Sequence, residues 1–276
     1  MSNSVHTNAS AAVALQNLAR TNENLAGVQN RVSTGLKVQG AKDNAAIWAI
    51  AQQQRADTSA LSAVRQSLDR ATSIADVALA AGESISDLLN QLKEKVVAAK
   101  DTSLKTQSRE LLDADFKALL RAIGSAVENA EFDGGNILNG SLTNGLRFLA
   151  NADATSFITL SSKDLSLSGS IISLSATDSL LTPTAATQAL NRLDASITNL
   201  NKALGDIGAQ AKQISAHTTF VSKLTDTLES GIGNLVDADL AKESARLQSL
   251  QVQQQLGAQA LSIANQAPQI ILSLFQ

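Results

Sequence analysis

The residues that could carry chemistry are few and scattered. There are two histidines, His6 and His217, and no cysteine. An imidazole metal site or a hydrolytic triad needs a His gathered with further ligands or with a nucleophile. His6 lies in an uncharged terminal stretch and His217 lies inside a helical series, so sequence neighbours assemble no such cluster. Without cysteine, thiol catalysis, thiolate metal sites and disulfides are excluded together. Neither GxxxxGK[ST] nor GxGxxG occurs, so no glycine-rich phosphate cradle is present. Asp237 and Asp239 in "DADLAKE" offer carboxylates but lack the mid-loop Gly and distal Glu of a calcium loop. Acidic residues there suit a helix N-terminus, where they complement the dipole. Lys93, Lys95 and Lys100 alternate with apolar positions and Glu94, the pattern of a solvated helix face. Trp48 in "AAIWAIAQ" reads as a packing anchor. No catalytic residue, cofactor or metal ligand is nominated, and the chain is not read as an enzyme.

What the chain withholds in reactive groups it also withholds in charge. Charged residues make up 17% of its 276 residues, against about 25% in ordinary soluble domains. With 22 basic and 25 acidic residues the net charge is −3, which argues against nucleic acid or an anionic membrane as principal partner. The deficit is concentrated at the ends. "LQSLQVQQQLGAQALSIANQAPQIILSLFQ" (Leu247 to Gln276) has nine Gln and no charged side chain, and Met1 to Ala19 has none apart from partial charge on His6. No run approaches the ~20 apolar residues of a spanning helix, so membrane insertion is not expected. The first residues have no basic region ahead of a solid apolar stretch, so any export would not use an ordinary cleaved leader.

Two prolines, Pro183 and Pro268, leave room for very long helices. Val64, Leu68, Ala71, Ala75, Ala78, Gly82, Ile85, Leu89, Leu92, Val96 and Ala99 alternate steps of four and three over five heptads, the narrow seam of a coiled coil. Its many Ala and one Gly imply close backbone approach. A second series runs through Leu190, Leu193, Ile197, Leu200, Leu204, Ile207, Ala211 and Ile214, and less strictly through Val221, Leu224 and Leu228. Gly205 and Gly208 leave room for a bend. A shorter helix carries Leu112, Phe116, Leu119, Ile123 and Val127 on one face. From Phe132 to Thr187 the character changes. "FDGGN", "LNGS" and "TNG" are turn formers, "DLSLSGS" alternates Leu165 and Leu167 with Ser as a half-buried strand would, and "SFITLSS" and "SIISLSA" have strand-like composition. One or two short hairpins followed by a Ser/Thr-rich connection are expected there.

At the N-terminal end Ala11, Leu18, Leu25 and Val32 recur every seven residues, supported by Ala14 and Val28. The C-terminal end carries two seams. Leu247, Leu250 and Leu261 line one face, while Val252, Leu256, Ala260, Ile263, Ala267, Ile270 and Leu274 line another. A helix apolar on two faces needs several neighbours.

Two stretches then carry a family resemblance. "NLARTNENLAGVQNRVSTGLKVQGAKDNAAIWAIAQQQRADTSAL" (Asn17 to Leu61) resembles the N-terminal signature of bacterial flagellins, above all in R-V-S-T-G-L-K-V followed by A-K-D-N-A-A. "DADLAKESARLQSLQVQQQLGAQALSIANQAPQIILSLF" (Asp237 to Phe275) resembles their C-terminal signature, including the A-N-Q-x-P-Q ending. The resemblance implies a mainly α fold, a long antiparallel coiled-coil helical hairpin with a small β-hairpin region in its middle. It implies that residues 1–44 with 237–276 form an inner coiled-coil layer, 45–131 with 188–236 an outer helical layer, and 132–187 a short β-rich surface segment. It further implies a secreted subunit of the flagellar filament. Its partners would be copies of itself and related flagellins, cap and hook–filament junction proteins, the flagellar type III export machinery and an export chaperone. In "LKEKVVAAK", Lys93 and Lys95 stand where receptor-activating relatives carry Arg, and Val96 stands near the position of their Glu.

A helical polymer repeats each side chain at a fixed interval, so a charge buried between copies would face copies of itself or lie unpaired. Gln donates and accepts without needing an opposite charge. On this ground and the resemblance, the assembly interface is assigned to Leu18, Leu25, Val28, Arg31, Val32, Leu36, Lys42, Asp43, Leu247, Leu250, Val252, Leu256, Leu261, Ile263, Ile270 and Leu274. Arg31 is expected to pair with an acid across a contact between subunits, near the loop of Lys42 and Asp43. Ser161, Ser168, Ser173 and Thr177 are candidates for O-linked glycosylation, by resemblance to other modified short flagellins. Two rivals stay open on sequence alone: a hook–filament junction protein and a secreted membrane-active coiled-coil effector.

Overall fold

The computed structural model of the chain describes residues 7–273, with side chains through residue 266. In order, its elements are α1 (Ala9–Thr34), α2 (Ala41–Ala99), α3 (Thr106–Glu128), strands β1 (Leu146–Leu149) and β2 (Phe157–Leu160), α4 (Pro183–Val236) and α5 (Leu240–Ser273). The fold is mainly α with one small antiparallel sheet. The chain divides into two compact units, Met1–Ala56 with Thr227–Gln276, and Asp57–Asp226. Residues 132–187 fall inside the second unit.

The second unit is organised by the long seam of α2. All eleven seam positions from Val64 to Ala99 are buried. Against them α4 runs antiparallel: Leu204 lies over Gly82, and Asp194 pairs with Lys93 at 2.7 Å. A Cβ on Gly82 would stand 2.2 Å from Leu204 Cδ2, so the absent side chain sets the approach of the two helices. Helix α4 begins at Pro183, whose missing N–H falls where a helix has no acceptor for it, and Thr182 Oγ1 accepts the Ala185 N–H at 3.2 Å. Neither Gly205 nor Gly208 interrupts it.

The buried stripe of α4 differs in part from the expected series. Leu193, Leu200, Ile207 and Ile214 are buried, but the second row is Ala189, Ser196 and Ala203, while Leu190, Ile197 and Leu204 are only half-buried. Small side chains take the tightest line and the larger ones flank it. Ser196 survives there because its hydroxyl donates to Arg192 O at 2.7 Å.

Helix α3 buries Phe116, Leu120, Ile123 and Val127, with Leu112 and Leu119 at the margin. It also buries Asp113. Burial opposes ionisation of this carboxyl, yet the Lys117 ammonium at 2.8 Å, the Leu180 N–H at 2.6 Å and Ser179 together hold its pKa below the ordinary carboxylate value. Beyond α3, Asn136 donates to Val127 O and accepts from the Leu138 N–H, both at 2.8 Å, tying the connecting loop to the helix end.

The hairpin pairs Leu146 with Leu160, Arg147 with Thr159, Phe148 with Ile158 and Leu149 with Phe157. Its loop is residues 150–156, closed by Ala150 N–H to Ser156 O at 3.0 Å and knit by Asn151 Oδ1, which accepts the Thr155 and Ser156 N–H groups. Both Asn-Gly pairs precede the hairpin. The "DLSLSGS" segment is not a strand. Asp164 Oδ1 accepts the Ser166 N–H, the Ser168 backbone turns left-handed at φ 62°, and only a lone bridge joins Leu167 to Ile172. Local side-chain bonds to the backbone displaced the ladder that the alternation suggested.

Two predictions test this unit. Asp113→Ala should lower unfolding free energy by about 1–3 kcal/mol, because it strands the buried Leu180 N–H. Since the folded pKa is depressed, the wild type has the charge-dependent part of this stabilisation above the unfolded carboxylate pKa and loses that part as pH falls through the folded value. Denaturant titrations should therefore draw closer for the two proteins in acid without meeting, because the protonated carboxyl still accepts the Leu180 N–H. In a second comparison, Gly145 has φ 70° and a Cβ there would sit 2.2 Å from Leu160 O, whereas Gly205 has open space. Gly145→Ala should cost about 1–3 kcal/mol, and Gly205→Ala should stabilise an isolated chain by about 0.5–1 kcal/mol, both read by thermal unfolding.

Candidate functional site

In the first unit, α1 and α5 form an antiparallel pair. Asn8 Nδ2 donates to Ala264 O at 2.7 Å, Leu18 lies beside Gly257, Gln254 Nε2 donates to Asn22 Oδ1 at 2.7 Å, and Arg31 Nε meets Glu243 Oε2 at 3.1 Å. As numbers rise on α1 they fall on α5. The caps follow from sequence. Asn8 Oδ1 accepts the Ala11 N–H, Gly35 closes α1 at φ 73° with its N–H on Arg31 O, and Asp239 Oδ1 accepts the Lys242 N–H at the start of α5. Asp239 is thus a cap, and among the described residues no group of three or more acidic or His side chains is placed to hold a metal ion.

The stripe of α5 facing α1 is Leu247, Leu250, Gln254, Gly257, Leu261 and Ala264, of which only Leu250 is fully buried. Opposite it, Val28 is fully buried and Leu18, Leu25 and Val32 are half-buried. These sequence-assigned residues come together, within one chain. The second seam of α5 does not join them. Val252 is 54% exposed, Leu256 60% and Ile263 65%. Leu274 lies outside the described residues, as does the side chain of Ile270. On α1, Val13 and Leu15 are 57% and 58% exposed. They escaped the heptad reading because they fall off its face; their sign was being apolar within a charge-free stretch.

The loop after α1 is built by backbone bonds to the end of α4. Leu36 bridges Asp237, the Lys37 N–H reaches Val236 O at 2.7 Å and the Ala238 N–H reaches Gly35 O at 2.8 Å. Asp43 Oδ2 accepts the Gln39 and Gly40 N–H groups, stapling the turn before α2. Helix α2 is then broken at Asn44, whose backbone is extended (φ −159°, ψ 101°), and Asn44 Oδ1 caps the long part of the helix through the Ile47 N–H. Lys42 is exposed. Val38, Ala51, Ile232 and Val236 form the local core, with Leu36 and Trp48 packed against it.

Arg31 already has an acid partner within the chain. Its acid is Glu243 of the same chain, and the pair lies in an open polar cleft of about 400 Å³ with Glu23, Lys37 and Arg246. The reason is geometric: Glu243 occupies the first turn of α5, across from the last turn of α1 where Arg31 lies. Glu243 was missed as a site residue; its signal was being the first acid in α5 ahead of a charge-free run.

Among the described residues the arrangement offers helix surfaces and no cluster of metal-ligating side chains. Residues 5–143 match the bacterial flagellin N-terminal helical region and residues 190–275 the bacterial flagellin C-terminal helical region. The chain is 54% identical over 278 residues to flagellin FljJ of Caulobacter vibrioides, covering 100% of this chain and 99% of that one. It is 40% identical over 282 residues to a flagellin of Brucella melitensis, covering 99% of each. A solved structure described as a flagellar hook-associated protein of Vibrio parahaemolyticus, 13% identical, overlays 71% of this chain and 100% of its own with a TM-score of 0.58, a likeness of fold alone. With both signature regions matched and full-length relatives at such identity, the chain belongs to the bacterial flagellin family, the structural subunits of the extracellular flagellar filament.

Proposed function

We propose that the chain polymerises, with copies of itself and related flagellins, into a hollow helical filament for swimming, through the outward faces of α1 and α5. One observation carries this reading: the Val252, Leu256 and Ile263 stripe is more than half exposed on a helix whose other face is already occupied. Contiguous apolar surface of this kind marks an interaction site. The lack of charge from Leu247 onward favours a neighbour of the same composition, because Gln pairs with Gln. Leu18, Leu25, Val28, Val32, Leu36, Leu247, Leu250 and Leu261 would then order the pair that presents this surface, with Ile270 and Leu274 extending it. Lys42 and Asp43 would lie at a contact between subunits. Residues 1–44 with 237–276 would form the inner layer, the helices of residues 45–131 with 188–236 the outer one, and 132–187 the solvent face. Family membership also supports passage through a type III export apparatus with a chaperone, and contacts with cap and junction proteins.

Ser168, Ser173 and Thr177 are exposed and would present O-glycosylation sites on that face, although the Ser173 hydroxyl bonds Arg192 O and Ser196 and the Thr177 hydroxyl bonds Ser175. Ser161, by contrast, is half-buried and bonded to Gln210. Intact mass of native filaments should exceed the polypeptide mass; a mass matching the bare chain removes this part of the proposal.

Leu256→Asp should leave the monomer's helical signal unchanged and its stability within about 0.5 kcal/mol. Seeded growth of tubes, followed by electron microscopy, should stop. Normal tubes from this variant would refute the assignment of the outward seam, and vesicle leakage without tubes from the wild type would favour a membrane-active protein.

A further inference from the structure

Three positions place Asn or Asp before Gly: Asp133-Gly134, Asn139-Gly140 and Asn144-Gly145. Neither Asn-Gly pair forms the hairpin loop, so the structure leaves both motifs unexplained by strand pairing. They differ in how their side chains are held. Asn139 Oδ1 accepts the Ser141 N–H at 3.0 Å and the Ser141 hydroxyl at 2.6 Å. The Asp164 carboxylate stands against Gly140, about 3 Å from where a Cβ would be. Asn144 is exposed, and among the described residues no hydrogen bond holds its amide. The atoms crowding Gly145 are backbone of Leu160 and Ser161, none of them charged. Asp133 is paired with Arg70 at 2.8 Å and has no side-chain amide to lose.

We propose that Asn144 is a site of spontaneous deamidation that converts it to isoaspartate or aspartate in the folded protein. Hydroxide removes the Gly145 amide proton, and the nitrogen attacks Asn144 Cγ. The new N–Cγ bond forms as the Cγ–Nδ2 bond breaks, and ammonia leaves with a proton from water. Water then opens the five-membered imide. Cleavage at the former backbone carbonyl gives isoaspartate, and cleavage at Cγ gives aspartate. Nothing is oxidised or reduced. Glycine is required after Asn because a side chain there would block the attack. Asn139 is slower for two reasons. Its amide must break both Ser141 bonds before Cγ can swing onto the next nitrogen, and the Asp164 charge disfavours an amide anion at Gly140. The product carries one more negative charge and, as isoaspartate, one more backbone carbon directly before β1.

The test incubates the full-length native protein in mildly alkaline buffer and quantifies amide-to-acid conversion at each Asn by peptide mass mapping. Methyl transfer by an isoaspartyl-specific methyltransferase gives an independent readout. Conversion at Asn144 should exceed that at Asn139 several-fold, and the difference should vanish in denaturant, where both are plain Asn-Gly pairs. Ser141→Ala should raise the Asn139 rate, and Asn144→Ser should remove most of the methyl acceptance. Equal native rates, a faster Asn139, or an intact Asn144 in native protein while the denatured chain reacts would each overturn the proposal.

Discussion

The pairing of α1 with α5 depends on how a limited number of apolar side chains is shared around one helix. Beyond Leu247, α5 has Leu and Ile enough for one good face, and they are divided between two. The face toward α1 therefore passes through Gln254, Gly257 and Ala264, and closes with hydrogen bonds where a coiled coil would place Leu. Among the described residues the pair buries only Val28 on α1 and Leu250 on α5, so it gains little from burial. Neither face is saturated by one chain among the described residues, and in the proposed filament further chains of the same kind would supply what is missing. Among the described residues the ion pair between α1 and α5, Arg31 with Glu243, sits where the charge-free run begins, so it can orient the pair without placing a charge inside the stretch that other copies would cover.

The unit from Asp57 to Asp226 is built on the opposite principle. Its seam is complete within the chain, from Val64 to Ala99, and its buried polar groups are satisfied locally: Asp113 by Lys117 and Leu180, Ser196 by Arg192, Asn136 by the end of α3. Such a unit needs no neighbour to hold its shape. One chain thus joins a self-sufficient part to a part that leaves apolar surface uncovered, which would suit a monomer handled singly and then added to the proposed lattice.

How far the sequence could be read follows from the kind of signal involved. The α2 seam was readable throughout because five heptads of consistent spacing leave one register. The α4 stripe was read half correctly, since the periodicity marked Leu193, Leu200, Ile207 and Ile214, but hydrophobicity favoured Leu190 and Ile197 over the Ala and Ser that take the tightest line. The two seams of α5 were visible as two phases of apolar residues, and the structure separates them into a covered and an open face among the described residues. The middle segment was the least readable. Ser and Leu alternate in "DLSLSGS" as in a strand, yet the Asp164 carboxylate takes both the Ser166 N–H and the Ser166 hydroxyl, and pairing goes no further than the single Leu167–Ile172 bridge. The partner of Arg31 was not readable either, because a contact across 212 residues has no local signature.

The loop between β1 and β2 has its base fastened on three sides. Ala150 N–H meets Ser156 O, Ala150 O meets His217 Nε2 at 2.7 Å, and the Leu149 N–H meets Ser67 Oγ at 3.1 Å. Strain applied at the tip therefore stops at Ala150 and Ser156 and does not reach the register of the strands. Closing a longer loop across the same base costs only about 0.6 kcal/mol for each doubling of its length. The tip around Ala152 and Asp153 is thus the point where this chain can be lengthened, by descent or by a grafted peptide, while the helices beneath keep their packing.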